Sequence, residues 1–186
     1  MTQHSSPTFR PVRFPAETEA FADFLASEVW PFHGSPVVAR ESILAHAREG
    51  LYTGGTREVH WIELEGEAVG IIQLLELDDL DDGDGFPLFD LRIRAAVRGR
   101  GIGGAAVRWL TGHLFARYPL LTRIEGTTRA DNLAMRRVFE RSLFALEGRY
   151  RESWPDASGA MHDAVRYAIL RRDWESGTVT PVRWGE

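Results

Sequence analysis

Residues 91–104 read Leu-Arg-Ile-Arg-Ala-Ala-Val-Arg-Gly-Arg-Gly-Ile-Gly-Gly, and this is the most informative local pattern in the 186-residue chain. A strand pattern ends here, turns through glycines and passes into an apolar stripe at helical spacing. Backbone amides at a helix N-terminus bind phosphate where no side chain blocks them, and the helix dipole favours the anion. Arg98 and Arg100 add positive charge nearby. The stretch therefore predicts a strand-to-helix junction that holds a phosphate group.

The patterns on either side of this junction predict the other elements. A short strand and two helices come first, and two alternating segments joined by Glu65-Gly66-Glu67 then predict an antiparallel hairpin. A third strand enters the glycine turn, and the long helix after it is followed by a strand, a helix and two closing strands. This order indicates one α/β domain over residues 1–186, with a mixed sheet rather than a uniformly parallel one.

Local signals predict three helix termini. Ser35 and Pro36 suit the cap and first turn of the second helix, and Gly50 suits its left-handed end. Asp131 is the predicted cap of the helix that follows the glycine-turn unit.

Composition excludes several functional classes. Lys and Arg number 22 against 27 Asp and Glu, so the net charge of −5 predicts no nucleic-acid partner. The chain has no cysteine, which excludes disulfides and thiolate nucleophiles, and its six histidines show no paired spacing on a helix, so we predict no metal. The first residues lack a signal-peptide pattern and no segment is long enough to span a bilayer, which predicts a cytoplasmic protein without a membrane partner.

A dinucleotide-binding fold is the first alternative for the glycine turn. Gly99, Gly101 and Gly104 fit the spacing G-x-G-x-x-G, and Glu125 follows at nearly the distance expected of a ribose-binding carboxylate. The turn lies past the middle of the chain, however, and too little chain remains for two mononucleotide-binding halves. We therefore rank a small nicotinamide-dependent oxidoreductase as the less favoured interpretation of the glycine turn.

The segment Arg98-x-x-Gly101-x-Gly103 resembles the pyrophosphate signature of the GNAT acetyltransferases. The order of elements is also similar to that family, so the resemblance covers essentially the whole chain. It implies a mixed central sheet of six to seven strands, largely antiparallel with a splayed parallel pair, flanked by about four helices. The chain looks closest to the branch of ribosomal-protein and small-molecule N-acetyltransferases, in which an asparagine opens the helix after the fifth strand, as Asn132 does here.

The resemblance implies acetyl-CoA as the acyl donor and a set of residues that contact it. The glycine turn would offer its amides to the pyrophosphate, the strand before it would pair with the pantetheine amides, and Asn132 would contact the cofactor arm. A plain helix cap is the alternative role for Asn132. The implied cofactor-binding residues are Leu91, Arg92, Ile93, Arg98, Gly99, Arg100, Gly101, Ile102, Gly103, Gly104, Asn132 and Phe139.

Acyl transfer from a thioester to an amine needs a neutral amine, a hydrogen-bond donor to the thioester oxygen and often an acid for the thiolate. The family commonly has a tyrosine as that acid, and Phe139 stands at its position. Glu125 and Asp90 are the candidate bases because their strands are expected to flank the cleft, and Tyr150 is the candidate acid by residue type. Ion-paired or solvated carboxylates and a packing tyrosine are the alternatives.

The loop Trp30-Pro31-Phe32-His33 lies where the family shapes its acceptor pocket. Trp30, Phe32 and His33 are the candidate acceptor-binding residues, and His33 is suited to bind or deprotonate an amine. A hydrogen-bonded loop histidine is the alternative. The predicted function is the direct transfer of an acetyl group from acetyl-CoA to a primary amine of a small molecule or a protein N-terminus. A catalytically silent acyl-CoA sensor is its rival, motivated by Phe139, and a homodimer through an edge strand is compatible with both.

Overall fold

The computed structural model describes residues 5–185 and contains seven strands and five helices in that range. In chain order the elements are β1 (Thr8–Pro11), α1 (Thr18–Ala26), α2 (Arg40–Arg48), β2 (Arg57–Leu64), β3 (Glu67–Leu75), β4 (Leu88–Ile93), α3 (Ile102–Arg117), β5 (Arg123–Arg129), α4 (Leu133–Arg141), β6 (Ala145–Pro155), β7 (Met161–Leu170) and α5 (Arg171–Ser176). The predicted order is confirmed, and α5 is an additional short helix after the last strand.

The second helix begins later than its sequence signals predict. α2 starts at Arg40, so the prediction that Ser35 caps it and Pro36 lies in its first turn is wrong. The carbonyl of Pro36 accepts a hydrogen bond from the Trp30 amide at 2.7 Å, which folds the connection back on itself instead of into a helix. Gly50 follows the helix with φ of 76°, and its predicted left-handed conformation is confirmed.

The cap of α4 is also displaced by one residue. Asn132, rather than Asp131, caps the helix, and its Oδ1 accepts a hydrogen bond from the Met135 amide at 3.2 Å. The carboxylate of Asp131 is instead bound by the guanidinium of Arg129, at 2.9 Å from Nε. Because Asp131 forms an ion pair with Arg129, its carboxylate does not cap α4 as the sequence predicted.

The strands form two antiparallel sheets that meet at β4 and β5. The first sheet has the order β1-β2-β3-β4 and the second has the order β5-β7-β6. At the junction the Phe86 ring lies 5.6 Å from the Arg123 guanidinium, and the Phe89 ring borders Gly126 three residues further along both segments. β4 and β5 therefore run in the same direction without forming a ladder. This is the predicted splayed parallel pair, and the predicted fold class is confirmed.

Alternation along the strands buries both faces of the first sheet. On β3, Ile72 packs into the cluster beneath α3, whereas Ile71 packs with α1 and α2 on the opposite face. β2 alternates in the same way, with Ile62 toward α3 and Trp61 toward α1. The sheet therefore has helices on both faces, and the segment that joins α1 to α2 covers the face opposite α3.

Gly126 on β5 is expected to tolerate no side chain. A Cβ atom there would lie 2.4 Å from the ring of Phe139 and 3.1 Å from the ring of Phe89. Both rings belong to the packed core, so Gly126→Ala should destabilise the fold by about 2–3 kcal/mol through overpacking. For a domain of this size the melting temperature should fall by about 5–10 °C. The double variant Gly126→Ala/Phe139→Leu should recover part of that loss, and an unchanged melting temperature in the single variant would contradict this packing.

The described structure leaves the domain boundaries and the oligomeric state untested. The single domain over residues 1–186 stays a prediction, and residues 1–4 and 186, including His4, lie outside the described part of the chain. β6 is an outer strand of the second sheet, so a homodimer through it also stays a prediction. None of the described helices is long and apolar enough to cross a membrane.

Candidate active site

The glycine turn after β4 adopts the backbone that only glycine accepts readily. Gly99 and Gly101 have φ of 78° and 82°, in the left-handed region. No atom beyond the neighbouring residues lies within 4 Å of the point where a Cβ would sit at either position. The turn is therefore open on its outer side, as the approach of a phosphate requires.

The same turn carries a run of unpaired backbone donors. The Arg98 amide bonds to the Ala95 carbonyl, and the Ala105 amide bonds to the Gly101 carbonyl as α3 begins. Between them, the six amides of residues 99–104 have no acceptor in the described chain. Since the positive end of the α3 dipole lies at this point, these amides are donors suited to an anion, and their binding of a phosphate stays a prediction.

The two arginines of the turn differ in their contacts. Arg98 donates from Nε to the Ile93 carbonyl at 2.9 Å, and its Nη2 lies 3.9 Å from the carboxylate of Glu28. Glu28 also accepts a hydrogen bond from the Ala95 amide at 2.9 Å, so the segment just after α1 supports the turn. Arg100 is exposed and forms no ion pair with residues 5–185, which leaves its guanidinium available to an anion.

Gly103 serves packing rather than the open face of the turn. A Cβ at this position would lie 3.4 Å from Val138 and 3.6 Å from Ile93. These distances are ordinary van der Waals contacts, so the first turn of α3 packs against α4 and β4 with room for at most a small side chain. Ile102, the first residue of α3, is 4% exposed and anchors the helix start in the core.

β4 presents a free backbone edge to the split between the sheets. It pairs with β3 along one side, from Leu88 to Ile93, and forms no ladder with β5 on the other. The Ile93 and Leu91 carbonyls already contact Arg98 and His33, so the backbone amides on that side are the groups left for an extended ligand. Leu91 lies in the middle of this edge, and its carbonyl is 3.2 Å from Nε2 of His33.

His33, Asp90, Arg92 and Trp30 form one network on the face opposite α3. Arg92 binds the Asp90 carboxylate through Nε and Nη2 at 3.0 and 2.9 Å. Its guanidinium lies 5.6 Å from the centre of the Trp30 ring, which is fully buried and donates to the Leu25 carbonyl. Nε2 of His33 lies 3.1 Å from Oδ1 of Asp90. The structure thus brings together residues that the sequence assigned separately to acceptor, base and cofactor.

The electrostatics of this network make Asp90 a stable anion. Burial acts to raise the pKa of Asp90, but the hydrogen bond from His33 and the charge of Arg92 outweigh it and hold the pKa below its ordinary value. Both neighbours of the His33 Nε2 atom are acceptors, so Nε2 carries the hydrogen and Nδ1 carries the lone pair. Nδ1 is buried and has no hydrogen-bond partner among residues 5–185. His33 is therefore oriented by a carboxylate and keeps an unused basic atom.

Glu125 and Tyr150 lie in a second group on β5, β7 and β6. The Glu125 carboxylate is 2.8 Å from Arg123 and 3.1 Å from Arg166, and its side chain is 15% exposed. The guanidinium of Arg166 also lies 5.3 Å from the centre of the Tyr150 ring. Glu125 is thus fixed as the anion of two ion pairs, and Arg166, which the sequence reading missed, connects it to Tyr150.

Of the two predicted cofactor residues at α4, Asn132 is half-buried at the helix start and Phe139 lies in the interior. Asn132 caps the helix and donates from Nδ2 to Thr128 Oγ1 at 3.0 Å, which ties α4 to β5. Phe139 is 1% exposed and stacks on Tyr167 with 5.0 Å between ring centres. The Tyr167 hydroxyl donates to Glu140 at 3.0 Å, and burial raises its pKa. Nothing in the sequence around Tyr167 indicated that its hydroxyl would be buried.

The acceptor loop also meets β5. The Arg129 guanidinium lies 5.1 Å from the centre of the Phe32 ring and donates from Nη1 to the Pro31 carbonyl at 3.4 Å. Arg129 was not predicted, although it follows the two-residue alternation that places Arg123, Glu125 and Thr127 on one side of β5. Phe32 and His33 thus contact β5 and β4 respectively, so the loop spans the split.

The splayed pair, the open glycine turn with its unpaired amides and the order of elements define a GNAT-like α/β protein. The model of the acetyltransferase (GNAT) family matches residues 17–143, which is more than half of the chain. The chain belongs to this family, and the predicted resemblance is confirmed. No curated protein matches the chain significantly.

Solved structures share the fold at low sequence identity. A ribosomal L7/L12 alpha-N-protein acetyltransferase, RimL, in complex with coenzyme A has a TM-score of 0.74 at 20% identity and covers 89% of this chain and 94% of its own. The spermidine N-acetyltransferase of Vibrio cholerae, in complex with CoA and spermine, has a TM-score of 0.76 at 14% identity and covers 91% and 98%. A GNAT-family acetyltransferase of Bacillus anthracis has a TM-score of 0.71 at 18% identity and covers 91% and 98%.

Proposed function

We propose that this protein is an acyl-CoA-dependent N-acyltransferase that moves an acetyl group from acetyl-CoA directly to a primary amine of a small molecule or a protein N-terminus. The observation that carries the proposal is the run of six unpaired amides over residues 99–104 at the positive end of α3. The family match and the CoA-bound neighbours support the choice of an acyl-CoA over a nicotinamide nucleotide.

The cofactor has a natural path along this surface. Its pyrophosphate would bind the amides of residues 99–104, with Arg100 as the mobile cation. The pantetheine arm would then lie along the free edge of β4, where Leu91 to Ile93 offer backbone groups. This path directs the thioester into the split between β4 and β5, where the Phe32–His33 loop spans the two strands.

His33 is the base that the geometry supports best. The amine nitrogen would attack the thioester carbonyl carbon, the new C–N bond would form and the C–S bond would break. Nδ1 of His33, which is buried in this structure, would take the proton that the amine loses once the loop around it opens to the acceptor, and Asp90 would hold the ring in the required tautomer. Glu125 is less suited because both of its carboxylate oxygens are already paired, one with Arg123 and one with Arg166. Tyr150, whose hydroxyl bonds to no residue between 5 and 185, stays the predicted donor to the departing thiolate, although β7 separates its strand from β5.

A ligand panel in thermal unfolding tests the cofactor first. A ligand at about 100 times its dissociation constant adds about 2.7 kcal/mol, which corresponds to about 5–10 °C for a domain of this size. Acetyl-CoA and CoA should each raise the melting temperature by that amount, and NAD and NADP should not. A shift with a nicotinamide nucleotide alone would overturn the proposal and assign the glycine turn to dinucleotide binding.

Turnover is then measured by the release of free CoA thiol with a disulfide dye. The chain contains no cysteine, so the protein contributes no background to this assay. The amine panel should include a peptide with an N-terminal serine and spermidine, because the neighbours act on such acceptors. Thiol release that requires both acetyl-CoA and an amine supports the transferase. Tight CoA binding without turnover on any amine would favour the silent sensor, for which the buried Phe139 in place of an acid is the motivating observation.

A further inference from the structure

Three metal-binding side chains converge on the other face of the sheet, away from the splayed strands. Glu58 and His60 project from β2, and His113 projects from α3. Nε2 of His113 lies 2.8 Å from Oε2 of Glu58, and Nε2 of His60 lies 3.7 Å from the same oxygen. One ligand atom from each of the three residues falls within 4.8 Å of the other two. The separation of these residues in the chain hid the group from the search for paired histidines.

His60 is the unexplained member of this group. Its side chain is 6% exposed, and its Nδ1 has no hydrogen-bond partner in the described chain. The 3.7 Å separation from Glu58 is too long for a hydrogen bond, so Nε2 has no short partner either. A buried ring nitrogen without a partner, as Nδ1 is here, costs free energy that packing alone does not recover. This ring therefore points to a ligand between it and Glu58.

Neighbouring side chains hold Glu58, His60 and His113 in place and leave the space between them open. The Trp109 ring stacks on His113 with 5.0 Å between centres, and its centre lies 4.8 Å from that of His60. The Phe9 ring also stacks on Trp109. Arg117 approaches the opposite oxygen of the carboxylate, 3.4 Å from Oε1, and leaves Oε2 to the histidines. The glutamate and His113 side chains are 23% and 28% exposed, which gives an ion access from solvent.

We propose that Glu58, His60 and His113 bind a zinc ion that joins β2 to α3, with water as the fourth ligand. Two imidazoles and one carboxylate are a donor set that zinc accepts, and bond lengths of about 2.0–2.2 Å place tetrahedral ligand atoms about 3.3 Å apart. The three side chains need only small rotations from the observed separations. The hydrogen on Nε2 of His113, which now points to Glu58, leaves for solvent or moves to Nδ1 when the metal binds.

This site is distinct from the glycine turn and does not depend on the proposed acyl transfer. The unfolded chain holds no preformed site, so zinc bound to the native state stabilises the fold. Because the chain has no cysteine, thiolates do not compete for the metal.

The test uses chelator-treated full-length protein and zinc chloride in isothermal titration, with thermal unfolding in parallel. The wild-type protein is expected to bind one equivalent of zinc and to gain about 5 °C or more at saturation. Cobalt substituted for zinc should give the intense visible bands of a tetrahedral ion. His113→Ala and Glu58→Gln should lose the stoichiometric binding, the thermal gain and the bands.

His162→Ala is the matched control, because His162 pairs with Asp156 at 2.7 Å in a separate loop. It should bind zinc as the wild type does, and Arg117→Ala should also retain the metal. Equal binding by wild type and His113→Ala would overturn the proposal, as would the absence of stoichiometric binding in the wild type. Both readouts are independent of acetyl-CoA, so their failure would leave the proposed transferase activity intact.

Discussion

Gly101→Asp is expected to abolish CoA binding while leaving the fold in place. The position lies in open space with φ of 82°, a conformation that aspartate and asparagine adopt more readily than other side chains. A carboxylate here accepts hydrogen bonds from the first amides of α3 and so occupies the donors of the pyrophosphate. Two unit charges 4 Å apart near a protein surface repel by about 4 kcal/mol, which corresponds to about a thousandfold in Kd. Isothermal titration with CoA measures the loss.

Gly101→Asn is the matched control for this variant. It has the same shape and the same tolerance of the left-handed backbone but no charge, so it should weaken CoA binding by only about tenfold. Both variants should melt near the wild-type temperature without ligand. If aspartate and asparagine weaken CoA equally little, the pyrophosphate is not held by the amides of residues 99–104. Gly103→Glu is a poorer test because its side chain would enter the contact with Val138 and Ile93.

His33→Ala is expected to lower kcat/KM for the amine by about 10²–10⁴-fold, the usual contribution of a general base. The variant removes the Nδ1 lone pair, whereas Asp90 keeps its two hydrogen bonds from Arg92. The Kd for CoA should therefore stay unchanged. Added imidazole should restore part of the rate, which a purely structural role for His33 would not allow. Steady-state kinetics by thiol release measures both effects.

Two further variants separate chemistry from structure at this position. His33→Gln retains a donor within reach of Asp90 but has no basic nitrogen, so it should be as slow as His33→Ala. His46→Ala removes a histidine of α2 that contacts Tyr52, and it should have the wild-type rate. Wild-type activity in His33→Gln would contradict the role of His33 as base and return attention to Glu125.

The sequence predicted the backbone of the glycine turn better than the contacts of the candidate catalytic residues. Gly99, Gly101 and the helix start at Ile102 act through the backbone, and backbone conformation is recorded in local sequence. The roles of Asp90 and Glu125 depend on which arginines face them, and those arginines come from the same strand and from other strands. Alternation indicates the face of a strand but does not identify its cross-strand partner.

Local sequence was enough to predict the order of elements, the mixed sheet and the open glycine turn at the start of α3, because hydrophobic period and glycine placement act over a few residues. The start of α2 at Arg40, the contact of Asp90 with His33 and the meeting of His60 and His113 at Glu58 became visible only in the folded chain. Each of these depends on contacts between segments distant in the chain, whose energies local patterns do not record. The helix signals at Ser35 and Pro36 gave way because the tertiary contacts of the loop outweigh a single cap.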